Sequence, residues 1–278
     1  MFGRFRKRKH EPGNEELPLR VTVRAHRDRP PPGDLTQWRE DVSGETWLPP
    51  GTSVEIVRAR FAEVRVPRTH FDVLLVDAAT FQRVTFEEVE VDTGDLGIAD
   101  GTLYRECTFD RCLLAGVDPG LARFERCGFY SCNLDGWFAN CAEFVGCTFD
   151  GGSLRDSIFF GRPFECGDAT QRKVNEFRDN DFTNAAIEGT RFDAIDLTAQ
   201  RLPAGPEVID DAAARVKAAA KAIAKWPDEE RRRAATAVLA MLVRPGEKPK
   251  QLVLDSTRFA DPMLQAVLPE VFALLRRR

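Results

Sequence analysis

Seven cysteines, three histidines and a large stock of carboxylates are the residues through which this sequence could do chemistry. Five of the cysteines, Cys107, Cys112, Cys127, Cys132 and Cys147, alternate between spacings of five and fifteen residues. A zinc site needs close pairs with histidine partners, and His10, His26 and His70 lie far from all five in sequence. Cysteine packs as a small hydrophobe, so these five are read as core thiols and no metal is assigned. Cys141 and Cys166 fall outside that spacing and are read as exposed thiols, with no base placed to activate either. Asp150-Gly151-Gly152-Ser153 reads as a tight corner rather than a phosphate loop, and no nucleophile elbow or histidine triad is present. The paired carboxylates read as a solvated coat rather than a glycosidase pair. No catalytic residue, cofactor or metal follows, and the expectation is a protein that is not an enzyme.

The elements that position these residues declare themselves through phenylalanine, of which there are 20 against 2 tyrosines. From Ile56 every fifth residue is apolar, through Phe61, Val66, Phe71, Val76, Phe81, Phe86, Val91 and Leu96. The series slips by three residues and resumes at Tyr104, running through Phe109, Leu114, Pro119, Phe124, Phe129, Leu134, Ala139, Phe144, Phe149, Leu154, Phe159 and Phe164. A second slip of three is read before Phe177, Phe182, Ile187, Phe192, Leu197 and Leu202; Phe138 and Phe160 lie off the series. Two residues ahead of most of the large side chains stands a small or β-branched one, and the five cysteines occupy that place. Five is a multiple of neither the helical nor the strand period. A chain that turns a corner every five residues and closes a square after twenty satisfies it. Cys107-Thr108-Phe109-Asp110 recurs as Cys127-Gly128-Phe129-Tyr130 and Cys147-Thr148-Phe149-Asp150. Squares stacked at about 4.8 Å, the inter-strand spacing, would pile Phe109, Phe129 and Phe149 in one column and Phe124, Phe144 and Phe164 in another.

The unit of small residue, polar residue, Leu or Phe, and two polar residues resembles the pentapeptide-repeat proteins. Cys-Thr-Phe-Asp-Arg, Cys-Asn-Leu-Asp-Gly and Cys-Thr-Phe-Asp-Gly carry the likeness, which covers residues 54–202. The resemblance implies a mainly β solenoid, a right-handed four-sided β-helix. Some members of that family look like duplex DNA in size and charge, bind type II topoisomerases such as gyrase and protect them from poisons.

Three regions are expected: 1–53, a basic tail and N-terminal cap segment; 54–202, the β-helix; and 203–278, a C-terminal helical domain. Leu19–Ala25 alternates and reads as a short strand, and Trp47 is expected to plug the open end of the solenoid. A first helix is read from Val208 to Ile223, a second capped by Asp228 after Pro227, and a third begun by Asp261-Pro262 and kinked at Pro269. A loop is read over 244–250. Without a signal peptide or an apolar run that spans a bilayer, the expected setting is cytoplasmic with reduced thiols.

Net charge is −4 overall, but residues 54–202 hold 26 acidic and 16 basic side chains. Acidic residues recur at outward places, so the candidate partner-binding surface is Asp110, Glu125, Asp135, Asp150 and Glu165, with Asp168, Arg172 and Lys173 on an ejected loop at 165–174. The leading expectation is a protein-interaction or scaffold role with an acidic rod presented to a protein partner. The alternative is a DNA mimic acting on a type II topoisomerase. No direct nucleic-acid binding by the rod and no membrane contact are expected, and the C-terminal helices are expected to support a homodimer.

Overall fold

An inward side chain at every fifth residue forces the backbone to bend between one and the next. The computed structural model, which describes residues 35–99, 101–166, 170–205, 207–243, 250–256 and 259–277, shows how. Short parallel strands pair from coil to coil and build a four-sided β-solenoid of the pentapeptide-repeat kind. The expected tail, the strand at 19–25 and residues 244–249 of the expected loop lie outside the described residues.

Each face has one column of large side chains. On face one Phe61, Phe81, Tyr104, Phe124, Phe144 and Phe177 follow one another in register. Face two stacks Val66, Phe86, Phe109, Phe129 and Phe149, with Phe182 beyond. Face three carries Phe71, Val91, Leu114, Leu134, Leu154 and Ile187. Face four carries Ile56, Val76, Leu96, Pro119, Ala139, Phe159 and Phe192. The ring centroids of Phe109 and Phe129 are 4.8 Å apart and those of Phe129 and Phe149 are 4.9 Å apart, with planes within 5°. That separation in near-parallel rings means an offset stack, the arrangement their quadrupoles favour.

The corners required something the repeat did not announce. Glu63, Arg83, Glu106, Arg111, Arg126 and Asp179 sit two residues past their column with φ between +51° and +58°. Left-handed backbone costs an ordinary residue about 1–2 kcal/mol, and the inter-coil ladder holds it there, as in Glu106 N–H to Glu125 C=O at 2.8 Å.

The first slip is as read, since Phe81 pairs directly with Tyr104. The second is larger. Phe144 pairs with Phe177, not with a residue twenty further on, so thirteen residues are extruded rather than three. Phe164 is therefore not in the column. It stacks outside the rod on Phe160, with centroids 5.1 Å apart, and meets Phe138 edge-on.

Trp47 is buried over the first coil, edge-on to Phe61 at 5.2 Å and to Trp38 at 5.6 Å, as a plug must be. At the other end the chain departs from the expected helix. Val208 and Ile209 lie in a strand, Glu207–Asp210, antiparallel to Gln251–Leu254. Their side chains serve opposite faces: Val208 packs on the rod core, Ile209 on the helical core. The alternation of these two residues between cores is that of a strand, not of the expected helix. Helices α1 (Ala212–Ile223), α2 (Glu229–Leu242) and α3 (Pro262–Arg276) follow. Asp228 caps α2 by accepting from the Arg231 N–H, and Asp261 caps α3 by accepting from Met263 N–H. Val267, Leu268, Val271, Phe272 and Leu275 of α3 are buried against α1, α2 and the ribbon, so the apolar side expected to support self-association is used internally. Among the described residues no helix is long and apolar enough to cross a membrane.

Candidate interaction surface

With the register known, every outward side chain can be assigned to a face, and the four faces differ. Face one is a lattice of ion pairs. Arg83 meets Glu63 at 2.6 Å, Arg126 meets Glu106 at 2.9 Å and Arg105 meets Glu125 at 2.8 Å. At its centre Arg123 reaches Glu125 at 2.6 Å, Glu143 at 2.9 Å and Glu176 at 2.7 Å. Burial opposes the Arg123 charge, but the three carboxylates outweigh it and hold its pKa above the ordinary value. Burial likewise pushes Glu125 up, and the hydrogen bonds from Arg123 and Arg105 more than reverse this. Glu176 is held low first by Arg123 and then by Arg178.

The expected binding residues do not form one surface. Asp110 and Asp150 share face two with the exposed Tyr130 between them in register. Asp110 is ion-paired with Arg111 at 2.6 Å. Glu125 is on face one, only 16% exposed and committed to two arginines. Asp135 is on face three, where it accepts from the Ser153 hydroxyl and from Arg155 N–H at 2.7 Å. Glu165 and Lys173 are exposed on the extruded segment, and Asp168 lies outside the described residues. The Arg172 guanidinium meets Glu143 at 2.7 Å and donates to the Cys141 carbonyl at 2.8 Å, which ties the segment to the rod.

Among the described residues, face three is the side richest in carboxylates relative to arginines. It presents Asp72, Glu90, Asp92, Asp135, Asp156 and Glu188, together with Arg155, which is bonded to Glu188 at 3.3 Å. His70 lies among the first three, with Nε2 3.1 Å from an Asp92 oxygen. The hydrogen bond to Asp92 raises the His70 pKa; partial desolvation opposes it, and Asp92, Glu90 and Asp72 add attraction.

The five core thiols are where the sequence put them, buried at the small inward places. Cys107, Cys127 and Cys147 form one column and donate to backbone carbonyls of the preceding coil, for example Cys127 to Tyr104 at 3.4 Å. The Cys127 thiol and burial push Cys107 upward, and burial pushes Cys127 upward, so neither is a nucleophile. Cys141 and Cys166 are not the exposed free thiols expected. Cys141 is buried, and the two are joined as a disulfide with Cα atoms 6.2 Å apart. The extrusion that brings residue 166 back over 141 could not be read from five-residue spacing.

Two further features escaped the sequence. Asn175 and Asn180 occupy the small inward place where apolar side chains are the rule. Asn180 accepts from Cys147 N–H at 2.9 Å and donates to the Phe144 carbonyl at 3.0 Å, which closes backbone groups next to the interrupted ladder. A polar residue at an inward place was the available signal. The second feature is a cleft of about 1270 Å³ between the last coils, the ribbon and α1, lined by Phe164, Asp193, Asp196, Asp211 and Lys250 among others.

No family model matches the chain, and no curated protein matches it. Among solved structures it is similar to HetL, a pentapeptide repeat protein involved in heterocyst differentiation regulation from the cyanobacterium Nostoc. The identity is 12% over 61% of this chain and 90% of that one, with a TM-score of 0.20. It is also similar to two trypsin-treated forms of QnrB1, a plasmid-mediated fluoroquinolone resistance protein. These are 15% and 14% identical, cover 56% and 55% of this chain and 91% and 89% of theirs, and have a TM-score of 0.15 each. The architecture rests on the register and the stacked columns.

Proposed function

We propose that this protein is a non-enzymatic interaction module that docks a basic surface of a protein partner on face three. The observation that carries the reading is the segregation of charge. On face one the carboxylates are neutralised by arginines on neighbouring coils, whereas among the described residues face three presents six carboxylates and one arginine. A one-signed patch on a rigid sheet steers a complementary partner and fixes its orientation. Ion pairs within face one leave little field to offer.

The sidedness favours docking by one face over mimicry of duplex DNA, whose charge surrounds its axis at about one per 1.7 Å. A type II topoisomerase, with its basic DNA-binding surface, is the partner class to try first. The experiment is a supercoiling and binding assay with purified gyrase, using the wild-type chain and a triple variant Asp135→Lys, Asp156→Lys, Glu188→Lys. Docking on face three predicts binding that weakens with salt and is lost in the triple variant. It also predicts that Asp110→Lys with Asp150→Lys, on face two, binds normally. No effect on gyrase at on the order of tens of micromolar removes the topoisomerase as partner. The docking reading itself is overturned if partners recovered by the wild-type chain are recovered equally by the triple variant.

A further inference from the structure

We propose that His70, Glu90 and Asp92 form a binding site for a divalent transition-metal ion. The three side chains stand on adjacent parallel strands, Thr69–Asp77 and Val89–Asp95, with His70 opposite Glu90 and Asp92 two residues further along on the same side. One ligand atom from each lies within 4.8 Å of the other two, and His70 Nε2 is already 3.1 Å from an Asp92 oxygen. Ligand atoms about 2.0–2.2 Å from a zinc ion are about 3.3 Å apart in a tetrahedron, so small rotations of exposed side chains complete the grip. The strands do not have to move.

The surroundings point the same way. An Asp72 oxygen lies 3.9 Å from His70 Nδ1, on the side where a carboxylate orients a metal-bound imidazole. Asp72 and Asp92 follow Phe71 and Val91, which are register partners, so two carboxylates face each other across one inter-coil step. Like charges so placed repel, and a dication held at Nε2 beside Asp92 and Glu90 offsets that repulsion. The imidazole selects against magnesium and calcium, and the two carboxylates against copper(I). A divalent ion from manganese to zinc in the first transition row remains, with water in the open positions. The site shares Glu90 and Asp92 with the docking face, but the docking variants leave all three ligands intact, so failure of either reading is distinguishable from failure of the other.

The test uses the full chain stripped with chelator, titrated with Zn²⁺ by calorimetry and with Co²⁺ by visible absorption. One ion per chain at micromolar affinity is expected. His70→Ala and Asp92→Asn are each expected to weaken it by about tenfold or more, while the double variant His10→Ala, His26→Ala binds as wild type. All three ligands are exposed, so unchanged far-UV circular dichroism is expected in each variant; should His70→Ala misfold, Asp92→Asn decides. The proposal is overturned by the absence of saturable binding below about 100 µM, or by zinc affinity unchanged in folded His70→Ala or Asp92→Asn.

Discussion

Truncation of Phe129 to alanine tests the stacked column at its centre. The ring is 1% exposed, lies between Phe109 and Phe149 at 4.8 and 4.9 Å, and meets Phe124 and Trp137 edge-on at 5.7 and 5.9 Å. Removal takes away six ring carbons and leaves a void of about 100 Å³. The walls are strands locked to both neighbouring coils, so the void stays open. At about 24 cal/mol per Å³ the cavity costs about 2.4 kcal/mol, and lost transfer free energy adds about 2 kcal/mol. The expected loss is about 4.5 kcal/mol. Phe192, at the end of its column, stacks on Phe159, meets Phe177 and Phe182 edge-on and is only half-buried; Phe192→Ala should cost about 2 kcal/mol. Urea unfolding followed by far-UV circular dichroism and by tryptophan fluorescence measures both, coincidence of the two signals checking that the transition is two-state. A loss under about 1.5 kcal/mol for Phe129→Ala, or equal losses for the two variants, would refute the reasoning.

Trp47→Ala uncovers Phe61 and should cost about 3–5 kcal/mol, with enhanced binding of a hydrophobic dye as the direct sign. Arg123→Met breaks the partly shielded network around Glu143 and should cost about 2 kcal/mol at neutral pH. The same variant bears on pH dependence. Glu125 and Glu176 are held below their unfolded pKa, so their contribution is present above about pH 4.5 and is lost as pH falls through the folded values. The drop in urea midpoint between pH 6 and pH 3.5 should therefore be smaller in Arg123→Met than in wild type. Thiol counting in denaturant without reductant should find the five free cysteines. Reduction should expose two more and lower stability by about 3 kcal/mol through the freed loop.

The rod was legible in the sequence because burial acts on each repeat independently: one large and one small inward side chain per five residues is a rule that local composition can show. The cysteines at 107, 127 and 147 were placed correctly for that reason. What failed was everything set by where the chain leaves the rule. Phe164 kept the phase of the repeat yet lies outside the rod, because phase alone does not tell a slip of three from an extrusion of thirteen. The extruded segment then decides the fate of Cys141, Cys166 and Arg172, none of which local spacing could place. Val208 and Ile209 alternated between two cores, and that alternation passed for helical spacing. The candidate surface suffered from the same blindness. Outward position was readable, but which of four sides a carboxylate occupies, and whether an arginine waits on the next coil, depends on the register. Glu125 and Asp135 look alike in the repeat and differ entirely in their company.

Both ends of the stack are shut. At the first coil Trp47 lies over Phe61 and Trp38 meets Trp47 edge-on. At the last, Val208 and Val253 press on the rod core, while the Gln251 side chain takes the Leu197 N–H and Asp255 takes that of Gly189. A parallel β stack with a bare terminus is a template for the next chain, and its length is then set by concentration. Here those closures oppose such growth, so the number of coils is a property of the chain and not of its concentration.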